Sequence, residues 1–174
     1  MSDLDFTGKV VIVTGGGKGV GRGITTAYLE RGADVVICGR REPESLPSAN
    51  GKEAVFVQAD VRVYEQVDNV VTETVSRFGR VDVLVNNAGG APFIKAADAK
   101  PSLSEKIIAL NLTSALHFCT RTNVEMQKQE AGGIENQEAQ SPPHITQQES
   151  SGEGPQGSLC GRPVAQGQPQ RSVA

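Results

Sequence analysis

The sequence has no tryptophan, two tyrosines and five phenylalanines, so aromatics make up only 4% of its 174 residues. Hydrophobic residues total 37%, below the usual share of a globular domain. It lacks any run of about 18 apolar residues, which excludes a membrane-spanning helix. Its first residues, Met1 to Phe6, carry two acids and no apolar stretch, so no signal peptide is expected. It lacks an excess of positive charge: 17 Lys and Arg face 20 Asp and Glu. That balance excludes nucleic-acid binding by bulk charge. The cysteines Cys38, Cys119 and Cys160 are few, odd in number and far apart. They suit neither a disulfide framework nor a zinc site, and a reducing, cytoplasmic setting is expected. His117 and His144 each stand alone, so no metal site is expected. Cys119 reads as a small apolar contact.

The hydrophobic deficit is uneven. Residues 1–130 read as one domain with a core of its own. Residues 131–174 hold eight Gln, seven Gly, five Pro and five Ser, with no Phe, Tyr, Met or Lys. Their scattered aliphatics follow neither a helical nor a strand period. Such a segment cannot offset about 1–2 kcal/mol of backbone entropy per residue, so a disordered tail is expected there.

The first 130 residues alternate strand and helix. Lys9–Thr14, Ala33–Cys38, Ala54–Gln58 and Val81–Val85 are short, β-branched or apolar runs, as buried parallel strands require. A helix after the first run carries Val20, Ile24, Ala27 and Tyr28, with Gly32 placed to end it. A second carries Val63, Val67, Val70, Val71, Val75 and Phe78 and closes at Gly79. A long third helix spans Ser104 to about Lys128. The order implies an α/β fold of Rossmann type, a doubly wound parallel sheet with helices on both faces.

Gly15, Gly16, Gly17, Gly19 and Gly21 put five glycines into seven positions between the first strand and its helix. Glycine permits a tight turn and a close backbone approach, and the helix N-terminus supplies free N–H groups and a positive dipole end. That is a cradle for a pyrophosphate. A P-loop would need Ser or Thr after Lys18, where this chain has Gly19.

Thr14-Gly-Gly-Gly-Lys-Gly-Val-Gly21 resembles the TGxxxGxG motif of the short-chain dehydrogenase/reductase family. Asn86-Asn-Ala-Gly89 resembles its NNAG, Asp60-Val61 its Asp-Val after the third strand, and Asn111 the asparagine of its catalytic set. The resemblance covers residues 5–130, about the first half of a family member. It implies that Gly15, Gly19 and Gly21 line the pyrophosphate, with Gly17, Lys18 and Val20 also in the cofactor site. It implies that Asp60 and Val61 meet the adenine, and that Asn87, Ala88 and Gly89 flank the ribose and the approach to the nicotinamide. Asn86 would tie the sheet together, and Asn111 would hold a water in a proton relay. Each residue also has a plainer reading: Asp60 as a helix cap, Asn86 and Asn87 as turn residues, Asn111 facing solvent.

An acid near the end of the second strand holds a ribose 2′-hydroxyl, whereas a 2′-phosphate needs a cation. Here that strand runs into Gly39-Arg40-Arg41, with no acid until Glu42, and Lys18 lies in the glycine loop. These residues favour NADP(H) over NAD(H) as the cofactor. The resemblance further implies a small carbonyl or alcohol substrate and a homo- or hetero-oligomer through the 104–128 helix.

The family's catalytic Tyr-x-x-x-Lys is missing. Four residues after Tyr28 and Tyr64 stand Gly32 and Asp68, and no Tyr or Lys follows residue 128. Ser141 has no strand before it and takes no catalytic role. Gly132-Gly133-Ile134 starts as the family's fifth strand does, then breaks into Glu135-Asn136-Gln137-Glu138. The sheet is therefore expected to stop after the fourth strand and long helix, with the edge at Val81–Val85 bare and prone to aggregate. Val63 stands where relatives commonly place a capping Asp, a loss of about 1 kcal/mol. A reading-frame shift or an alternative end is the expected origin of the switch near residue 130. Three outcomes stay open: a working oxidoreductase, a nucleotide-binding half-domain without catalysis, and a poorly folded product.

Overall fold

The computed structural model describes residues 4–92, 94 and 100–129. All lie within the compact unit Met1–Ala139. The expected tail, Ser141 and the Gly132-Gly133-Ile134 segment lie outside the described residues.

Four parallel strands form the sheet: β1 (Val10–Thr14), β2 (Asp34–Gly39), β5 (Val55–Gln58) and β6 (Val83–Val85), in the order β5-β2-β1-β6. A two-stranded antiparallel hairpin, β3 (Ser48–Ala49) and β4 (Lys52–Glu53), sits between β2 and β5 in sequence. β1 is central and every one of its residues is buried. It aligns Val10 with Asp34 and Thr14 with Cys38 of β2, and Val11 with Val83 of β6. Strand side chains alternate in direction, so β1 feeds two cores. Val11 and Val13 join Val35, Ile37, Leu29 and Ala33, with Ile24 and Tyr28 of α1 (Gly19–Glu30) against them. Ile12 joins Val36, Val57 and the stripe Val67, Val70 and Val71 of α2 (Tyr64–Phe78), together with Phe118 and Met126. Each fully buried Val, Leu, Ile, Phe or Met among them contributes roughly 1.5–3 kcal/mol. The β-branched runs become strands because both faces are covered, which is the doubly wound arrangement the sequence implies.

α2 starts at Val63 with no side-chain cap and ends at Gly79, whose N–H donates to Val75 O at 2.8 Å. The long helix is two helices: α3 (Pro101–Ile108) and α4 (Ser114–Met126), joined by a wide π-type turn over Ala109–Thr113. It begins three residues earlier than the sequence suggests because Pro101 occupies the first helical turn, where its missing N–H costs nothing. α4 buries Ser114, Phe118, Thr122 and Met126, four residues apart. The Arg121 guanidinium joins α4 to α2 by donating to Asp68, and to Glu125 at 2.6 Å. Ile108, Leu112, Leu116 and Val124 form an exposed apolar row on the other side of this helical run.

The fourth strand is shorter than expected. Asp82, with a side chain 3% exposed, accepts from Val10 N (2.9 Å), from Lys9 Nζ (3.3 Å) and from both Arg80 nitrogens, Nε at 2.7 Å and Nη2 at 2.5 Å. Its backbone N–H donates to Val10 O at 2.8 Å. Val81 therefore turns its own N–H and C=O away from β1. The Gln129 side-chain amide meets both, accepting from Val81 N at 3.1 Å and donating to Val81 O at 2.9 Å. Beyond β6 no further strand pairs among the described residues.

Candidate functional site

The carboxyl ends of the parallel strands gather on one rim, where open α/β sheets bind ligands. β1 leaves the sheet through Gly15, whose φ of +67° a side chain would strain. Its N–H donates to Cys38 O at 2.9 Å. α1 begins after Lys18 with no side-chain cap and no acid in its first turn. The first N–H groups and the positive dipole end are free for an anion. Gly21 is glycine for want of room: a Cβ there would lie 2.4 Å from both Asn87 Nδ2 and Gly15 O.

Thr14 links the two central strand ends. Its hydroxyl accepts from Asn87 N at 3.0 Å and Ala88 N at 2.9 Å, and donates to Val85 O at 3.3 Å. Asn87 Nδ2 returns a hydrogen bond to Thr14 O at 2.9 Å. Asn86 Nδ2 instead reaches α4, donating to Cys119 Sγ at 3.3 Å. Both asparagines thus tie structure together, Asn87 to the glycine loop and Asn86 to the helix. The Asn111 amide sits in the π-type turn and grips Gly90, accepting from its N–H at 2.8 Å and donating to its C=O at 2.9 Å. Such wide turns often occur at functional positions.

Two adjoining cavities of about 430 and 440 Å³ share Gly15, Lys18, Cys38, Gly39 and Arg40. The first adds Gly17, Arg41, Pro43 and Phe56. The second adds Val20, Gly21, Ala59, Asp60, Val61, Arg62, Asn87, Ala88, Gly89 and Leu110. Of the residues assigned from sequence to the cofactor or to catalysis, only Gly19 and Asn111 are absent from these walls. Gly19, at φ +55°, turns the chain into α1, and Asn111 acts on the wall through Gly90.

Arg62 was not foreseen as part of the site. It lies one residue beyond Asp60-Val61, and that adjacency was the available signal. Phe56, Pro43 and Leu110 come from elements whose approach only the fold reveals. The Arg62 guanidinium holds the Asp60 carboxyl down at about 2. Burial pushes the Cys38 thiol up to about 12, so it serves as an apolar floor and not as a nucleophile. Among the described residues no cluster of His, Cys, Asp and Glu could hold a metal, and no helix is long and apolar enough to cross a membrane.

Residues 9–137 match the short chain dehydrogenase family model. A bovine (Bos taurus) L-fucose dehydrogenase is 50% identical over 93 residues, which are 50% of this chain and 33% of that protein. A 3-oxoacyl-[acyl-carrier-protein] reductase of Chlamydia pneumoniae is 37% identical over 144 residues, 77% of this chain and 56% of the relative. Among solved structures, a short chain dehydrogenase from Bacillus anthracis superposes with a TM-score of 0.64 at 30% identity, covering 70% of this chain and 52% of the other. The RhlG/NADP active-site complex of Pseudomonas aeruginosa shares the fold alone, with a TM-score of 0.61 at 24% identity over 71% of this chain and 50% of that one. The chain spans between a third and just over half of the length of these relatives. With its glycine loop, its strand order and its matched residues together, the chain belongs to the short-chain dehydrogenase family.

Proposed function

We propose that this chain binds NADP(H) in preference to NAD(H) along the rim of its sheet, and that it does not by itself carry out turnover. One observation carries the cofactor reading. Lys18, Arg40 and Arg41 line one cavity, and none of them pairs with a carboxylate among the described residues. Three free cations beside a glycine cradle suit a 2′-phosphate and leave a 2′-hydroxyl without an acceptor. Gly15, Gly17 and Gly21 line the cavities beside the free N-terminus of α1, where the pyrophosphate would lie, and Asp60 and Val61 line the second cavity, where the adenine would lie. When bound, the cofactor supplies hydride chemistry toward a carbonyl or alcohol.

The case against turnover rests on the tyrosines. Tyr28 packs edge-on against Phe6, and Tyr64 against His117. Neither lines the cavities, and neither has a lysine four residues on. The family's oxidoreductase activity on a small carbonyl or alcohol would then need groups this chain does not supply. The domain boundary near residue 130 and a cytoplasmic setting belong to the same reading. So does association with a second copy or a related chain through the 104–128 helix, supported by its exposed apolar row.

Fluorescence titration of the full chain with NADPH and NADH tests this. Saturable binding with NADPH at least about tenfold tighter is expected, the worth of one to two charge-assisted hydrogen bonds. Equal affinities would overturn the cofactor reading. Steady oxidation of NADPH by a panel of carbonyl compounds would overturn the second half.

A further inference from the structure

We propose that Arg22 is a positioning residue for the 2′-phosphate subsite, an inference that rests on the NADP(H) reading above. Arg22 stands in the first turns of α1, half-buried, and does not line either cavity. Its guanidinium reaches across to the loop that follows β2. Nη1 donates to Ser45 O at 2.7 Å and to Gly17 O at 3.5 Å. Nη2 donates to Ser45 Oγ and to Leu46 O, both at 3.4 Å. One planar fork therefore binds the glycine loop and the 40s loop to the same helix.

Those two loops carry the cations of the subsite. Lys18 belongs to the first, and Arg40 and Arg41 lead into the second. Pro43 adds a second point of closure, since a Cβ on Gly17 would lie 3.2 Å from its ring. The spacing between Lys18 and the two arginines is thus held at Arg22 on one side and at Pro43 on the other. Arg22 has a second consequence. Every acceptor it uses is neutral, although Glu42 and Glu44 lie on the same loop. Its charge is not cancelled and adds to the field that draws a phosphate. A surface arginine present for stability alone would gain more from a carboxylate.

A dinucleotide without the 2′-phosphate does not need the spacing, and it carries two fewer negative charges for the field to draw. The prediction is therefore selective. The full chain and its Arg22→Met and Arg22→Lys variants are titrated with NADPH and NADH, and with 2′,5′-ADP and 5′-AMP as fragments. Arg22→Met is expected to weaken NADPH and 2′,5′-ADP about tenfold and to leave NADH and 5′-AMP within about twofold. Arg22→Lys keeps the helix and the charge and loses the fork, so it is expected to fall between the two. Equal losses for NADPH and NADH in Arg22→Met would show a merely structural residue and overturn the proposal. So would an Arg22→Lys variant that binds NADPH as tightly as the parent chain. A parent chain with no preference for the phosphorylated ligands marks a different failure, that of the NADP(H) reading itself.

Discussion

Arg62 closes over Asp60. Its Nε donates to Oδ1 at 2.9 Å and its Nη2 to Oδ2 at 2.5 Å, while its backbone N–H adds a third hydrogen bond to Oδ1 at 3.1 Å. The acid assigned to the adenine is thus already held by its own neighbour, and its folded pKa of about 2 lies below the ordinary 3.8. A depressed carboxyl stabilises the fold above the unfolded value and loses that contribution as pH falls from about 4 to about 2. In Arg62→Leu the Asp60 pKa is expected to rise toward 3.8, and the acid limb of the stability curve to become shallower. Carboxyl-carbon NMR titration reads the first and acid unfolding the second. An unmoved Asp60 pKa would contradict this.

Asp82 is the most deeply buried carboxylate of the fold as described, 2% exposed. Burial raises its pKa, but Arg80, the Val10 N–H and Lys9 together outweigh burial and leave it lowered. Asp82→Ala removes the acceptor for a strand N–H in the centre of the sheet and leaves Arg80 unpaired. We expect a loss of about 2–4 kcal/mol in urea unfolding at neutral pH. The difference from the parent chain should shrink as pH falls below the ordinary carboxylate value of 3.8 toward the lowered one of folded Asp82.

Two glycines of the same turn and helix should respond oppositely to alanine. A Cβ at Gly16 would lie 2.4 Å from Ile37 Cγ2 and 2.7 Å from Thr25 Oγ1, whereas one at Gly23 meets nothing within 4 Å. Gly16→Ala is expected to cost about 1–3 kcal/mol through overpacking. Gly23→Ala, inside α1 and exposed, is expected to gain up to about 1 kcal/mol. Thermal melts of the pair decide it, and a stabilised Gly16→Ala would show that the close contact does not constrain the turn.

Asn111 is expected to govern the loop after β6. Asn111→Ala removes both hydrogen bonds to Gly90 and leaves α4 in place. Amide exchange at Gly90 should then quicken about tenfold, as loss of one to two neutral hydrogen bonds implies. The amides of β1 should be unaffected. Equal quickening in β1 would mean that Asn111 supports the whole fold.

The row formed by Ile108, Leu112, Leu116 and Val124 is between 47% and 57% exposed at each residue. Apolar surface arranged in this way favours association. Leu116→Glu is expected to shift the chain toward monomer in sedimentation velocity without lowering its melting temperature. A parent chain that stays monomeric at high micromolar concentration would remove the helix from the proposed interface.

Much of this was legible in the sequence because it depends on local pattern. The buried strands announced themselves as β-branched runs, and α2 as Val67, Val70 and Val71 at helical spacing. The glycine cluster lay between a strand and a helix as a nucleotide cradle requires. Other features were hidden for physical reasons. The Ser48–Glu53 hairpin turns at Asn50-Gly51, both with φ positive, but its two strands of two residues each are too short to show an alternating pattern. The break at Ala109–Thr113 leaves no mark in a helical pattern, since one extra residue per turn preserves the apolar composition. The Arg22 fork and the Asp60–Arg62 pair depend on where long side chains settle once distant segments meet. Residue spacing does not encode that choice.

Gln129 has a kinetic meaning as well as a structural one. Its amide presents to Val81 one acceptor and one donor, which is what a residue of a neighbouring strand would present. It acts as a single movable rung at the start of the open edge. Any foreign strand that tries to extend the sheet must first expel that rung, and among the described residues only Val83–Val85, about 10 Å of chain at the usual rise, is left to guide it. The edge is thereby guarded by competition rather than by charge. Its resistance to aggregation will rise and fall with the turn that follows α4, far in sequence from the strand it protects.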